Sequence, residues 1–240
     1  MEFVFGMLVI LVAYFVKGFS GFGPAMIIVP FFTMIYDPQS ALIVAAVFDF
    51  LAGCILVYQI RHQIRWHFVF SVFAALAAGA FFGALLLNTI PAGGLKKLIG
   101  VILLVFSTLI LLQRNGTVPE AKKKYEWLRY PAGFLSGFLG GLVSMSGPPL
   151  IIYMKLMYEK TFFRTQLIAI FIFGTAWRSL LFFYYQIPFN IPTINLVLYF
   201  FLLLLGLWLG GKLHVRVNEI VFNKIVAIIL LIPAISLLIN

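Results

Sequence analysis

Charged residues are scarce in this chain, and their scarcity excludes a soluble fold. Asp, Glu, Lys and Arg make up 10% of the 240 residues, whereas apolar residues make up 63%. A soluble domain has roughly 25% charged and 45–50% apolar residues. A protein of this size keeps much of its surface exposed and could not hide so much apolar area from water. We therefore expect an all-α polytopic membrane protein.

Cysteine and histidine are scarce as well, which excludes several kinds of chemistry. Cys54 is the single cysteine, so no intrachain disulfide can form, and the three histidines lie at segment ends without ligand spacing. No nucleotide-binding motif occurs, and one acid alone, Asp49, lies deep in an apolar run. We expect no metal, no cofactor and no catalytic residues. An intramembrane enzyme is disfavoured.

The net charge of +10 has two interpretations. It can reflect nucleic-acid binding or the basic cytoplasmic loops of a membrane protein, and the second is favoured because no basic domain exists to grip a duplex. The start, Met1-Glu2-Phe3, lacks the basic region of a signal peptide, so we expect a retained first segment.

Long apolar runs follow one another along the chain, and two of them are interrupted. Uninterrupted runs of about 20 residues predict membrane-spanning helices. They cover residues 39–60, 66–88, 96–113, 162–185, 191–211 and 219–239. The runs 3–35 and 130–158 are broken by Gly, Ser and Pro around Gly23-Pro24 and Gly147-Pro148.

The two breaks indicate an internal repeat. They lie 124 residues apart, each precedes three full spans, and Gly83 and Gly210 correspond at a spacing of 127. We predict a first membrane repeat at 1–113, a basic cytoplasmic linker at 114–128 and a second membrane repeat at 129–240.

Loop charges favour broken segments that turn back within the membrane. If all eight segments crossed, seven basic residues would lie on one side and eight on the other. If both broken segments are re-entrant hairpins, thirteen lie on one side, with Lys96 and Lys97 alone on the other, which is a strong positive-inside bias. Three spans per half then make the repeats inverted, a transporter design. Crossing of the broken segments stays an alternative.

The breaks predict an anion site. Irregular backbone survives in a bilayer only where protein covers it or a cavity wets it, although an isolated glycine usually marks close helix packing. Pro24 and Pro148 each begin a second leg, and Ser20, Ser144 and Ser146 suit capping or hydroxyl donation. Two positive helix ends near the midplane suit a small anion with several oxygens.

Three charged residues lie deep in the apolar runs, where charges are costly and usually functional. Lys17, beside the first break, is expected to attract the anion. Arg178 either lines the site or snorkels to the end of its span. Asp49 is a structural partner of one of these cations or a proton-coupling group. Trp177 is expected to pack rather than line a cavity.

The breaks resemble the paired motifs of the sulfite exporter TauE/SafE family, also called the toluene sulfonate uptake permease family. The first motif covers residues 18–24 and is followed by Pro30; the second runs from Gly133 to Gly141 and on to Ser146-Gly147-Pro148-Pro149-Leu150. The chain departs from the family's pattern at three places. Pro24 stands where a further glycine is common, and Ser144-Met145-Ser146 replaces a glycine-rich string. Met154 stands at the position that corresponds to Pro30 of the first half.

The resemblance implies a secondary transporter of sulfur-containing anions such as sulfite, thiosulfate, sulfoacetate and other sulfonates, in the cytoplasmic membrane. The residues that it implies at the substrate site are Gly21, Gly23, Pro24, Gly147, Pro148 and Pro149. The expected partners are a small anion and the lipid bilayer, with a homodimer left open and no nucleic acid. An anion channel and a non-transporting assembly subunit remain alternatives.

Overall fold

A computed structural model describes residues 2–21, 23–112, 123–213 and 219–239. These residues form ten α-helices and two short 3-10 helices, Arg61–Gln63 and Lys123–Leu128, without any β-strand. The α-helices are α1 (Glu2–Ser20), α2 (Pro24–Thr33), α3 (Pro38–Ile60), α4 (Trp66–Leu87), α5 (Ala92–Leu112), α6 (Arg129–Val143), α7 (Gly147–Met157), α8 (Lys160–Tyr184), α9 (Thr193–Leu213) and α10 (Glu219–Ile239). Phe22 and most of the predicted linker lie outside the described residues.

All six uninterrupted runs are helices, and their ends differ from the prediction by a few residues. Helix α5 begins at Ala92 rather than 96. Pro91 has a backbone φ suited to the start of a helix. Lys96 and Lys97 are good helix formers, so the helix can begin before them. Helix α9 begins at Thr193 rather than 191 because Pro192 disfavours helical backbone at the residue before it.

Among the described residues, six helices are long and apolar enough to cross a bilayer, which supports a multi-pass membrane protein. These spans are Phe3–Ser20, Pro38–Gln63, Trp66–Leu87, Ala92–Leu112, Thr161–Tyr184 and Ile194–Lys212. The first leg, α1, is among them, because its 19 residues extend about 28 Å. Helix α6 has 15 residues and extends about 22 Å. The length of α1 does not favour a hairpin over a crossing, and the re-entrant topology stays a prediction.

Packing divides the helices into two compact units. The first unit contains α1, α2, α5, α9, α10 and the start of α3 as far as Phe48. The second unit contains α4, α6, α7, α8 and the rest of α3 from Asp49. Each unit draws helices from both halves of the sequence. The two sequence repeats stay a prediction, because units of packing need not coincide with units of duplication.

Glycines allow α4 and α6 to pack backbone against backbone in the second unit. A Cβ atom at Gly79 or Gly83 of α4 would overlap a carbonyl oxygen of α6, from Phe134 and Phe138 respectively. The contact is reciprocal, since a Cβ atom at Gly141 of α6 would overlap the carbonyl oxygen of Ala80. Glycines four residues apart line one face of a helix and allow this approach in membranes.

The α1–α9 pair of the first unit repeats this arrangement. A Cβ atom at Gly210 of α9 would overlap the carbonyl oxygen of Phe15, and one at Gly18 of α1 would lie 2.5 Å from that of Leu207. Gly210 follows Gly83 by 127 residues, and Gly141 follows Gly18 by 123. Corresponding helices therefore make corresponding contacts in the two units. The inverted orientation of the repeats stays a prediction.

Two adjacent glycines of α9 test this packing. We expect Gly210→Ala to destabilise the protein by about 1–3 kcal/mol, because the new methyl group must displace the backbone of α1. Gly211→Ala is the matched control, since a Cβ atom there meets nothing within 4 Å. The control should be neutral or stabilising by less than about 1 kcal/mol, from helix propensity. Thermal unfolding in detergent measures both, and equal effects would contradict the packing.

Candidate functional site

The two helix breaks share one backbone geometry. Each is three residues long, between Ser20 and Pro24 in the first unit and between Val143 and Gly147 in the second. The residue after each first leg is left-handed, Gly21 at φ 87° and Ser144 at φ 58°. Their N–H groups donate to the carbonyl oxygens four residues earlier, at 2.7 and 2.9 Å. The breaks therefore correspond at a spacing of 123 residues.

This spacing corrects the register that the Gly-Pro dipeptides predict. Pro24 is the first residue of α2, as expected, but Pro148 is the second residue of α7. Proline is tolerated throughout the first turn of a helix because N–H groups there have no intrahelical partner. The Gly-Pro dipeptide can therefore lie one residue earlier or later relative to the start of the helix without changing the fold. Aligning the two dipeptides gives a spacing of 124 residues, one more than the spacing of the breaks themselves.

Arg178 brings a positive charge to the second break. It lies on α8, and its side chain is 1% exposed, so the alternative that it snorkels to the end of its span is wrong. Its Nη1 donates to the hydroxyl of Ser146 at 3.0 Å and to the carbonyl oxygen of Ser144 at 3.3 Å. The predicted residues Ser144, Ser146 and Arg178 therefore lie together in the second unit.

Two residues that the sequence analysis did not single out complete this cluster. Gly140 leaves the space that the guanidinium uses: a Cβ atom there would overlap the Ser146 hydroxyl and lie 3.4 Å from Nη1 of Arg178. Ser136, fully buried, donates its hydroxyl hydrogen to the carbonyl oxygen of Ser146. The sequence could have indicated both residues through their spacing of four positions, which places them on one face of α6.

The first turn of α7 offers fewer backbone donors than the sequence interpretation assumed. Its four N-terminal positions are Ser146, Gly147, Pro148 and Pro149, and the two prolines have no N–H group. Ser146 makes no side-chain cap to the helix; its hydroxyl accepts from Arg178 instead. At the second break, the guanidinium of Arg178 therefore supplies positive charge that the two prolines, without N–H groups, cannot supply.

Lys17 supplies the buried cation of the first unit. It lies in the last turn of α1, is 5% exposed, and precedes the left-handed Gly21 by four residues. Gly23 is left-handed at φ 93°, where a side chain would find open space but a strained backbone. The Ser20 hydroxyl donates to the carbonyl oxygen of Val16 at 2.8 Å, so its hydrogen is directed to α1 and not into the break.

The two cations lie on different helices, Lys17 on α1 and Arg178 on α8. The 123-residue spacing makes Lys17 equivalent to Gly140, the residue whose missing side chain leaves room for Arg178. Each unit therefore places one buried basic group beside its break.

The other predicted residues are placed as follows. Asp49 is 9% exposed on α3, as its depth in the sequence suggested, and its coupling role stays a prediction. Trp177 packs, as expected, and donates its Nε1–H to the carbonyl oxygen of Ala77 at 3.1 Å. Within the described residues, no group of three metal-ligating side chains converges.

The left-handed residues give a prediction about stability. Gly21→Val should destabilise the protein by about 1–2 kcal/mol, because a left-handed residue with a Cβ atom meets its own carbonyl oxygen. Ser144→Gly removes that cost and should leave stability equal or higher. The two variants are compared with the wild type by thermal unfolding in detergent. A stable Gly21→Val variant would contradict the left-handed assignment at the first break.

Comparison with known proteins assigns the chain to a family. The model of the sulfite exporter TauE/SafE family matches residues 6–237, nearly the whole chain. No curated protein and no solved structure matches. The match covers both broken helices and every membrane-spanning helix, and it confirms the resemblance that the paired motifs suggested. The chain therefore belongs to the sulfite exporter TauE/SafE family of membrane transport proteins.

Proposed function

We propose that this protein is a secondary transporter of small sulfur-containing oxyanions, such as sulfite, thiosulfate, sulfoacetate or other organosulfonates, across the cytoplasmic membrane. The buried guanidinium of Arg178 at the second helix break carries the proposal. Family membership supports the sulfur chemistry. The location and a homodimeric state stay predictions.

A positive charge inside a membrane protein needs a reason. Desolvating a guanidinium costs several kcal/mol unless anionic or strongly polar groups replace its water. Among its contacts, Arg178 donates to a serine hydroxyl and to a carbonyl oxygen at the break, which places its guanidinium beside the irregular backbone. An oxyanion would neutralise the cation and accept its N–H groups in the planar geometry that guanidinium offers. We therefore expect the Arg178 guanidinium to recognise a carboxylate or sulfonate group.

The proposed substrate-binding residues fall into two sets, one in each unit. In the second unit they are Arg178, Ser144, Ser146, Gly147, Pro148 and Pro149, and in the first they are Lys17, Ser20, Gly21, Gly23 and Pro24. The buried Lys17 supports the first set, because a second cation at an equivalent break has no evident use in lipid packing. The midplane site shared by the two breaks stays a prediction from sequence.

Counterflow in proteoliposomes tests both the carrier and its anion site. Internal sulfite, thiosulfate or sulfoacetate should accelerate uptake of the labelled anion, and one of the three should do so most. Arg178→Gln should reduce uptake at low substrate about ten- to a hundredfold, the loss expected for a charged hydrogen bond. Arg178→Lys should retain part of the activity because it keeps the charge.

Arg61→Gln is the matched control, since Arg61 is an exposed arginine on a loop and should transport as the wild type does. Uptake without counterflow acceleration would favour the channel alternative. Full activity in a folded Arg178→Gln variant would overturn the assigned anion site.

Asp49 gives a separate prediction about coupling. Replacing its carboxyl group removes the one titratable acid deep in the apolar runs, so Asp49→Asn should flatten the pH dependence of transport while leaving anion affinity nearly unchanged. Initial uptake rates across a pH series measure the first property, and equilibrium binding of the anion in detergent measures the second. An unchanged pH profile would assign the coupling proton elsewhere.

A further inference from the structure

The second unit carries two arginines on a shared aromatic cluster that includes none of the residues proposed to bind the substrate. The cluster consists of Phe68, Tyr158 and Phe162, with the rings of Phe68 and Phe162 5.4 Å apart. The guanidinium of Arg65 lies 5.1 Å from the centre of the Phe162 ring, and that of Arg129 lies 6.0 Å from the centre of the Phe68 ring. Two positive charges therefore flank one apolar platform.

The arginines are held in place before any ligand arrives. Gln166, 1% exposed, accepts the backbone N–H of Arg65 at 2.9 Å through its side-chain oxygen. Its amide donates to the carbonyl oxygen of Gln63 at 3.0 Å, which fixes the loop from the other side. Arg129 donates to the Tyr130 hydroxyl at 3.0 Å and lies over that ring at 4.9 Å. The backbone of Arg65 and the guanidinium of Arg129 are therefore held before a ligand binds, which lowers the entropy that binding must cost.

The contacts of both guanidinium groups are with aromatic rings and a tyrosine hydroxyl. No carboxylate among the described residues pairs with either one. Both charges are therefore available to an anion from outside the chain, and a phosphate group matches guanidinium geometry well. The partner must carry a net negative charge, because a zwitterionic headgroup would bring its own cation to a positive surface.

The cluster lies where membrane spans end. The span Pro38–Gln63 ends two residues before Arg65, Trp66–Leu87 begins directly after it, and Thr161–Tyr184 begins beside Phe162. Lipid phosphates lie at this depth, just outside the hydrocarbon. Trp66 and Phe70 are exposed and stacked at 6.0 Å on the adjoining face of α4, where acyl chains can lie.

We propose that Arg65 and Arg129, mounted on the Phe68–Tyr158–Phe162 cluster, form a binding site for the phosphate headgroup of an acidic phospholipid. The two guanidinium groups bind the phosphate, and the exposed face of α4 receives the acyl chains. Because the site uses none of the proposed substrate-binding residues, its failure would leave the transport proposal untouched.

Native mass spectrometry of the purified full-length protein, titrated with phosphatidylglycerol or phosphatidylcholine, tests the site. Phosphatidylglycerol should bind more tightly than phosphatidylcholine. Arg65→Gln should weaken phosphatidylglycerol binding about fivefold, and the double variant with Arg129→Gln about twenty-five-fold, since each guanidinium in contact with the phosphate contributes a comparable share. Inorganic phosphate should not displace the lipid, because it lacks the acyl chains.

Arg61→Gln is the matched control. Arg61 lies on the same loop and also stacks on a ring, that of Tyr58 at 4.2 Å, but it is outside the cluster and donates to its own helix end. The control should bind phosphatidylglycerol as the wild type does. Equal loss in Arg61→Gln, no loss in the double variant, or displacement by inorganic phosphate would each overturn the proposal. If the double variant does not fold, the exposed Arg65→Gln variant alone decides the outcome.

Discussion

Polar groups inside a bilayer must find partners within the protein, and the two helix breaks are the places where this constraint is most demanding. Each break exposes backbone N–H and carbonyl groups that a continuous helix would have paired. At the second break, Arg178 donates to the Ser144 carbonyl and the Ser146 hydroxyl, while Ser136 donates to the Ser146 carbonyl. Polar groups at the break are thereby paired with one another, and the guanidinium of Arg178 is held beside the irregular backbone.

The breaks are equivalent in backbone and different in chemistry. Both have a left-handed residue after the first leg, and both are preceded by a helix packed closely on a glycine-bearing partner. The first break takes its cation from α1 itself, through Lys17, whereas the second takes it from α8, through Arg178. The two breaks therefore share a backbone geometry, although the buried basic residue of each unit lies on a different helix.

Close glycine packing positions both first legs. Helices α1 and α6 carry the breaks at their ends, and each packs backbone against backbone on its partner through glycines that leave no room for a methyl group. Such contacts hold the two helices close together in one packed arrangement. The arginines on the aromatic cluster of the second unit are fixed in a different way, by stacking and by the buried Gln166 amide.

The sequence by itself determined the membrane setting, the helices, the two breaks and the family. Apolar run length and Gly-Pro interruptions are local features, and a bilayer requires long apolar helices whose backbone groups are paired internally. It also singled out Lys17, Asp49 and Arg178, since charges in apolar runs are visible without coordinates. Only the tertiary structure decided that Arg178 contacts Ser144 and Ser146 and that Ser136 and Gly140 lie beside them. It also decided that the two breaks correspond at a spacing of 123 residues. Those facts depend on which side chains of different helices face each other, and no local pattern encodes that choice.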